Sequence, residues 1–280
     1  MLFRSSNNYA VDTVRPTATV AVASPGLNLG GSSVVNITFS EAVTGFSLAD
    51  MTASNGTLSS LTTSDNIHWT ATFTPTAGVT SGTNVITLDN TLYTDTSTNV
   101  GTGTTTSNNY TIDTVRPTAS VVIANPALNI GGTSLVTITF SEAVTGFTNA
   151  DLTIANGTLT SVTSNDGGIT WTGTFTPSAS ITDATNLITL NNAGIADLAG
   201  NAGSGTTDSN NYTIDTARPT ATIVVANPAL KIGDTSLVTF TFSEAVTGFT
   251  NADLSVANGT LSAVTSNDGG ITWTGTFTPS

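Results

Sequence analysis

The chain has 280 residues, with 18 acidic and 5 basic side chains, a formal net charge of −13, one His and no Cys. Five cations over that length cannot form the basic face of a nucleic-acid binder, and the lack of Cys removes disulfide scaffolds, thiolate zinc sites and cysteine nucleophiles. With 38% hydrophobic residues and Thr at about a fifth of the chain, the sequence is too apolar for disorder and has the wrong composition for a helical bundle, which leaves an all-β protein.

In chain order, the start Met1-Leu2-Phe3-Arg4-Ser5-Ser6 lacks the apolar core of a secretory signal. No later stretch reaches the ~18 consecutive apolar residues of a membrane helix, so no membrane insertion is expected in this segment. The dominant feature is repetition. Asp-Thr-Val-Arg-Pro-Thr begins at Asp12 and Asp113 and returns as Asp-Thr-Ala-Arg-Pro-Thr at Asp215. Phe-Ser-Glu-Ala-Val-Thr-Gly-Phe begins at Phe39, Phe140 and Phe242, and Asn-Gly-Thr-Leu at Asn55, Asn156 and Asn258. The period grows by one residue where Ser64-Asp65-Asn66-Ile67 becomes Asn165-Asp166-Gly167-Gly168-Ile169. Ser6 to Asp12 matches Ser107 to Asp113, so residues 1–12 read as the last strand of a preceding repeat. Residues 13–113 and 114–215 read as two full repeats, and 216–280 as a third that stops before its last two strands.

Within the second copy the pattern predicts seven strands. Ser120 to Ala124 is β-branched and follows Pro117. In Ser134 to Phe140, Val136, Ile138 and Phe140 alternate with Leu135, Thr137 and Thr139, which puts one set inward. A strand near Asp151 to Ala155 meets the tight-turn pair Asn156-Gly157 and continues as Thr158 to Thr163. After the turn Asn165-Asp166-Gly167-Gly168, the next strand sets Ile169, Trp171 and Phe175 on one face, with the Trp in the core. Asn186 to Leu190 follows, then a long loop from Asn191 to Asp208, then Asn210 to Asp215. Seven short strands in about 100 residues, with turns every 8 to 12, is the pattern of an immunoglobulin-like sandwich, here in tandem.

The string Phe-Ser-Glu-Ala-Val-Thr-Gly-Phe-Thr-Asn-Ala-Asp-Leu, then Asn-Gly-Thr-Leu, then Asp197-Leu198-Ala199-Gly200-Asn201, resembles bacterial Ig-like repeats of large surface or secreted adhesins, biofilm-associated and RTX-type. The resemblance covers nearly the whole chain. It implies an extracellular or cell-surface location and a role in adhesion or biofilm formation. It also implies tandem domains that meet their own neighbours, with a host or matrix surface contacted elsewhere in a longer protein.

Strand direction gathers the acidic residues. The turn after Phe140, the Asp166 turn and the 191–208 loop all fall at the pole beside the incoming linker. They carry Glu142, Asp166, Asp197 and Asn201, and the linker adds Asp113. Asp151 lies close by. Carboxylates so gathered repel one another, and a Ca²⁺ ion with six to eight oxygen ligands would remove that repulsion. The resemblance points the same way, since such repeats often use calcium at their junctions. The expected ligands are Asp113, Glu142, Asp197 and Asn201, with Asp12, Glu41, Asp95 and Asn99 one repeat earlier, and Asp215 and Glu244 in the third. A local alternative stays open: Asp113 caps its own linker or pairs with Arg116, and Glu142 bonds nearby amides. In the first repeat Thr98 replaces Gly200, the residue expected to bend this loop. Arg15, Arg116 and Arg218 are expected to pair with acidic neighbours. His68 reads as an outward strand residue, and no Ser has a recurring His and acid beside it, so no catalytic site is expected. A carbohydrate- or receptor-binding module and accessory domains of a larger secreted hydrolase remain the alternatives.

Overall fold

The structure, a computed structural model, describes residues 10–280. Most of the strand expected at Ser6 to Asp12 therefore lies outside the described residues, and residues 10 to 12 carry none. No helix among the described residues is long and apolar enough to cross a membrane. The chain is all-β, with immunoglobulin-like sandwiches in tandem.

In the first repeat, burial alternates along Ser33–Phe39, with Val35, Ile37 and Phe39 inside and Val34 and Asn36 outside. This strand lies between Ala18–Val22 and His68–Pro75 in an antiparallel sheet completed by Gly56–Thr63. The second layer is built from Met51–Ala53, Ile86–Asp89 and Thr104–Thr106, beside Gly26–Leu27, Tyr110–Asp113 and Thr80–Asn84. Val20, Ile37, Phe73, Ile86, Leu88, Tyr110 and Ile112 bury between the layers. Rings meet edge to face, Phe39 on Tyr93 at 4.7 Å and Phe73 on Tyr110 at 5.1 Å, the geometry aromatic quadrupoles favour.

The second repeat follows the same plan. Ala119–Ile123, Ser134–Phe140, Thr170–Pro177 and Gly157–Leu159 form one sheet in that order. Leu152–Ile154, Ile188–Asn191 and Thr206–Asp208 form part of the other. Trp171 is half-buried and stands edge-on to Phe147 at 5.3 Å. The Asn-Gly turn divides its labour. Asn156 takes the left-handed backbone, φ 53°. Gly157 is needed for space, because a Cβ there would come 2.3 Å from the Phe175 ring.

Several details differ from the alternation pattern. The first strand ends at Ile123, one residue short of the expected Ala124, and a further strand follows it. After the Pro the chain crosses to the other sheet, where Ala127–Asn129 pairs in parallel with Tyr212–Asp215. Pro has no N–H and cannot continue a ladder. The expected strand Asn186 to Leu190 is two, Thr182–Asn186 and Ile188–Asn191. The 191–208 loop holds a 3₁₀ turn at Asn192–Gly194 and two short strands, Ala196–Asp197 and Thr206–Asp208. Thr158 to Thr163 is broken into Gly157–Leu159 and Thr163–Ser164. There Asn149 substitutes for strand partners: its Nδ2 donates to Leu159 O at 3.2 Å and Thr160 O at 3.0 Å, and its Oδ1 accepts from Val162 N at 2.9 Å.

The chain forms two compact units. One comprises residues up to Pro126 with Thr133–Thr176 and Thr185–Tyr212; the other comprises Ala127–Gly132, Pro177–Ala184 and Thr213–Ser280. In the second unit Ala221–Val225, Ser236–Phe242, Thr272–Pro279 and Gly259–Leu261 form one sheet. Val238, Phe240 and Val264 form its small core, while Ile223 is 60% exposed.

Candidate metal centres

Three local features bring carboxylates together in the first unit. Asp113 ends the strand Tyr110–Asp113, and Glu142 lies in the turn just after Ser134–Phe140. The two-residue pairing of Ala196–Asp197 with Val144–Thr145 carries Asp197 to that turn. One carboxylate oxygen from each of Asp113, Glu142 and Asp197 lies within 4.8 Å of the other two. Asp12, Glu41 and Asp95 form the same trio one repeat earlier, with Asp95 brought in by the pairing of Thr94–Asp95 with Val43–Thr44.

One member of each trio is buried: Asp95 is 1% exposed and Asp197 is 2% exposed. A buried carboxylate needs hydrogen bonds, and the loop supplies them. Asp197 Oδ1 accepts from Asn201 N at 2.8 Å, and Oδ2 accepts from Asn201 Nδ2 at 2.7 Å. Asp95 accepts from Ser97 N, Asn99 N and Asn99 Nδ2 at 2.7 to 2.8 Å. Burial pushes the Asp95 carboxyl up, but these donors outweigh it and hold the group below the usual Asp range. Glu142 shifts the other way. Burial, then the charges of Asp197 and Asp113, push its carboxyl above the usual Glu value. Glu41 is raised by desolvation, then by Asp95 and Asp12.

The arginines do not neutralise the trios, contrary to the pairing expected from sequence. Arg116 Nη1 donates to Ala202 O, and Arg15 Nη1 donates to Val100 O at 2.5 Å. Both brace the loop that carries the buried Asp. The ion pair found among the described residues is Asp65 with His68, 2.7 Å apart, and His68 is exposed. Linker capping does occur. Asp12 Oδ1 accepts from Val14 N at 3.0 Å, and Asp113 Oδ1 accepts from Val115 N at 3.3 Å and Thr80 Oγ1 at 3.0 Å. Local turn chemistry and the trio thus use the same linker Asp.

Asn99 and Asn201 hold the buried Asp and the linker. Asn99 Nδ2 also donates to Asp12 O at 3.2 Å, and Asn201 Nδ2 to Asp113 O at 2.9 Å. The side-chain oxygen of Asn201 accepts from Leu29 N of the first repeat at 2.7 Å. Asp166 and Asp151 stand outside the trios. Asp166 accepts from Thr170 N and Ser164 Oγ, which hold its carboxyl down to about 2. Asp151 closes a capping box with Thr148. Asp215 and Glu244 border one shallow pocket of the second unit, and no third carboxylate joins them among the described residues. The donor set of each trio is all oxygen, which suits a hard cation such as Ca²⁺ and not a thiolate or imidazole metal.

Sequence reasoning missed Asn28 and Leu29, whose backbone and amide groups receive the loop of the next repeat. An Asn that opens a turn reads as local turn chemistry, so nothing in the string marks its partner.

Comparison with known proteins bears on the whole chain. A model of the bacterial Ig-like domain matches residues 12–112, 113–214 and 215–280. No curated protein matches. Among solved structures the chain is similar to FdeC, an Escherichia coli adhesin, at 15% identity and TM-score 0.37, covering 94% of this chain and 88% of that one. It is also similar to titin domains I67–I69 in an E-to-A variant, at 9% identity and TM-score 0.47, covering 96% and 90%. The three family matches together span nearly all of the sequence, and the chain belongs to the bacterial Ig-like domain family.

Proposed function

We propose that this chain is a non-catalytic stalk segment of an extracellular bacterial adhesin, stiffened beside its linkers by Ca²⁺ and serving adhesion or biofilm formation. The observation that carries this reading is the recurrence of one carboxylate trio at the same place in two successive repeats. In each, a buried Asp from the 3₁₀-containing loop, a Glu from the turn after the central strand and an Asp from the linker converge. Bringing the linker to the body of the repeat that follows it is what a spacer requires, and an ion between them would hold it there. Asp113, Glu142 and Asp197 would hold one ion and Asp12, Glu41 and Asp95 another, while Asn99 and Asn201 keep the buried Asp in place. Bound Ca²⁺ would supply the positive charge that Arg15 and Arg116 do not.

The test is thermal unfolding of the full chain with and without Ca²⁺. Binding to the native state alone must stabilise it, by about 2.7 kcal/mol at a concentration 100-fold above Kd. Asp113→Asn with Glu142→Gln should remove part of the shift and leave the rest to Asp12, Glu41 and Asp95. No shift at millimolar Ca²⁺ would end the calcium part of the reading.

A further inference from the structure

The first and second repeats are joined by hydrogen bonds in which Asn201 takes part. Asn201 is 2% exposed and uses both ends of its amide. Its nitrogen donates to Asp197 Oδ2 at 2.7 Å and to Asp113 O at 2.9 Å; its oxygen accepts from Leu29 N at 2.7 Å. Beside it, Asn28 Nδ2 donates to Ala199 O at 3.1 Å. Gly200 makes room for that approach: its φ is +89°, and a Cβ there would stand 3.3 Å from Asn28 Nδ2. The amide therefore touches a trio carboxylate, the linker backbone and the preceding repeat at once. Asn99 makes the matching bonds to Asp95 and Asp12 O.

We propose that Asn201 is the positioning residue that ties the orientation of the first repeat to the carboxylate cluster of the second. Asp197 cannot shift without moving the amide, and the amide cannot turn without releasing Leu29. Both amide hydrogens are committed, to Asp197 and to Asp113 O, so the nitrogen has no spare donor to compensate. The bracket stands on geometry that needs no ion. Its consequence for calcium, that occupancy sharpens the angle between repeats, rests on the stalk reading above.

The chain has no Cys, so Ser59→Cys with Ser161→Cys gives one clean spin-label pair in the full-length protein; both positions are exposed, Ser59 in the strand Gly56–Thr63 and Ser161 in the break between Gly157–Leu159 and Thr163–Ser164. Pulsed dipolar spectroscopy then reads the distance distribution between repeats. In chelator, Asn201→Ala should broaden the distribution relative to the parent. Asn28→Ala, which leaves the 197–201 loop intact, should broaden it less. With Ca²⁺ at a concentration that calorimetry shows to saturate each protein, the parent should narrow further and Asn201→Ala should not, since coupling and binding are separable quantities. Circular dichroism and the unfolding midpoint check that the variant is folded. Equal widths for Asn201→Ala and the parent in chelator would overturn the proposal, as would narrowing of the variant by Ca²⁺ to the parent width. If the parent binds no Ca²⁺, the stalk reading loses its calcium, and the chelator comparison alone decides the role of Asn201.

Discussion

The first and second repeats share a core and differ at their turns. In the second, Trp171 Nε1 donates to Gly168 O at 3.1 Å, and the third repeat makes the same bond from Trp273 to Gly270 at 3.0 Å. The first repeat has one residue fewer in this turn, and Trp69 Nε1 is buried without a partner. At the calcium-candidate loop, Gly200 has φ +89° and its counterpart Thr98 has φ +70°. The loop bends alike in both, with Thr98 N donating to Asp95 O at 3.3 Å and Gly200 N to Asp197 O at 3.2 Å. The expectation that Thr98 would cost the first repeat its bend is therefore corrected: the buried Asp95 and its donors impose the bend, and Thr98 bears the strain. A repeat can thus keep its sandwich and its carboxylate trio while its turns drift.

This comparison makes graded predictions, each best read by residue-resolved hydrogen exchange because tandem domains need not unfold as one. The largest concerns the indoles. Trp171→Phe removes a made hydrogen bond and leaves Gly168 O with Val144 N alone, whereas Trp69→Phe removes an orphaned donor. The second-repeat substitution should cost about 1–3 kcal/mol more than the first-repeat one. Equal costs would show that the missing bond in the first repeat has no energetic weight. Next, Thr98→Gly should stabilise the first repeat by about 1 kcal/mol and Gly200→Thr should destabilise the second by at least as much, because a β-branched residue is strained in the left-handed region. A neutral Thr98→Gly would mean that the loop relaxes.

The pH response is the smallest effect and has a turning point. Glu41 and Glu142 have folded values raised above the ordinary 4.5, so their favourable contribution is complete below 4.5 and is lost as pH rises through the folded value. Asp166 and Asp268 lie near 2 against an ordinary 3.8, held there by Thr170 and Thr272 N–H groups first, so their contribution is present above 3.8 and is lost as pH falls toward 2. Without Ca²⁺, stability should rise as pH drops toward 4.5 and fall below 3.8. With Ca²⁺, protons compete with the ion and the rise should flatten. A monotonic fall from neutral pH in chelator would remove the repulsion argument.

The fold was readable where burial follows a local period. Ser134–Phe140 was placed to the residue, because its alternation is strict and both neighbours pair along its length. The convergence of Asp113, Glu142 and Asp197 followed from strand direction alone. What stayed hidden has no local signature. The two-residue pairing that carries Asp197 joins segments about 50 residues apart. The crossing at Pro126, the role of Asn149 in breaking a strand and the turn of Arg116 toward a carbonyl all depend on partners distant in sequence. The pattern marks Asn201 as an oxygen donor for an ion, but nothing in it marks the bond its oxygen accepts from the backbone amide of Leu29 in the previous repeat.

The central claim is that each trio holds one calcium ion. Isothermal titration of the full chain in chelator-stripped buffer measures it directly. Two binding events per chain are expected, one of which disappears in Asp113→Asn with Glu142→Gln. Absence of binding heat at millimolar Ca²⁺, or a stoichiometry unchanged by that double substitution, would contradict it.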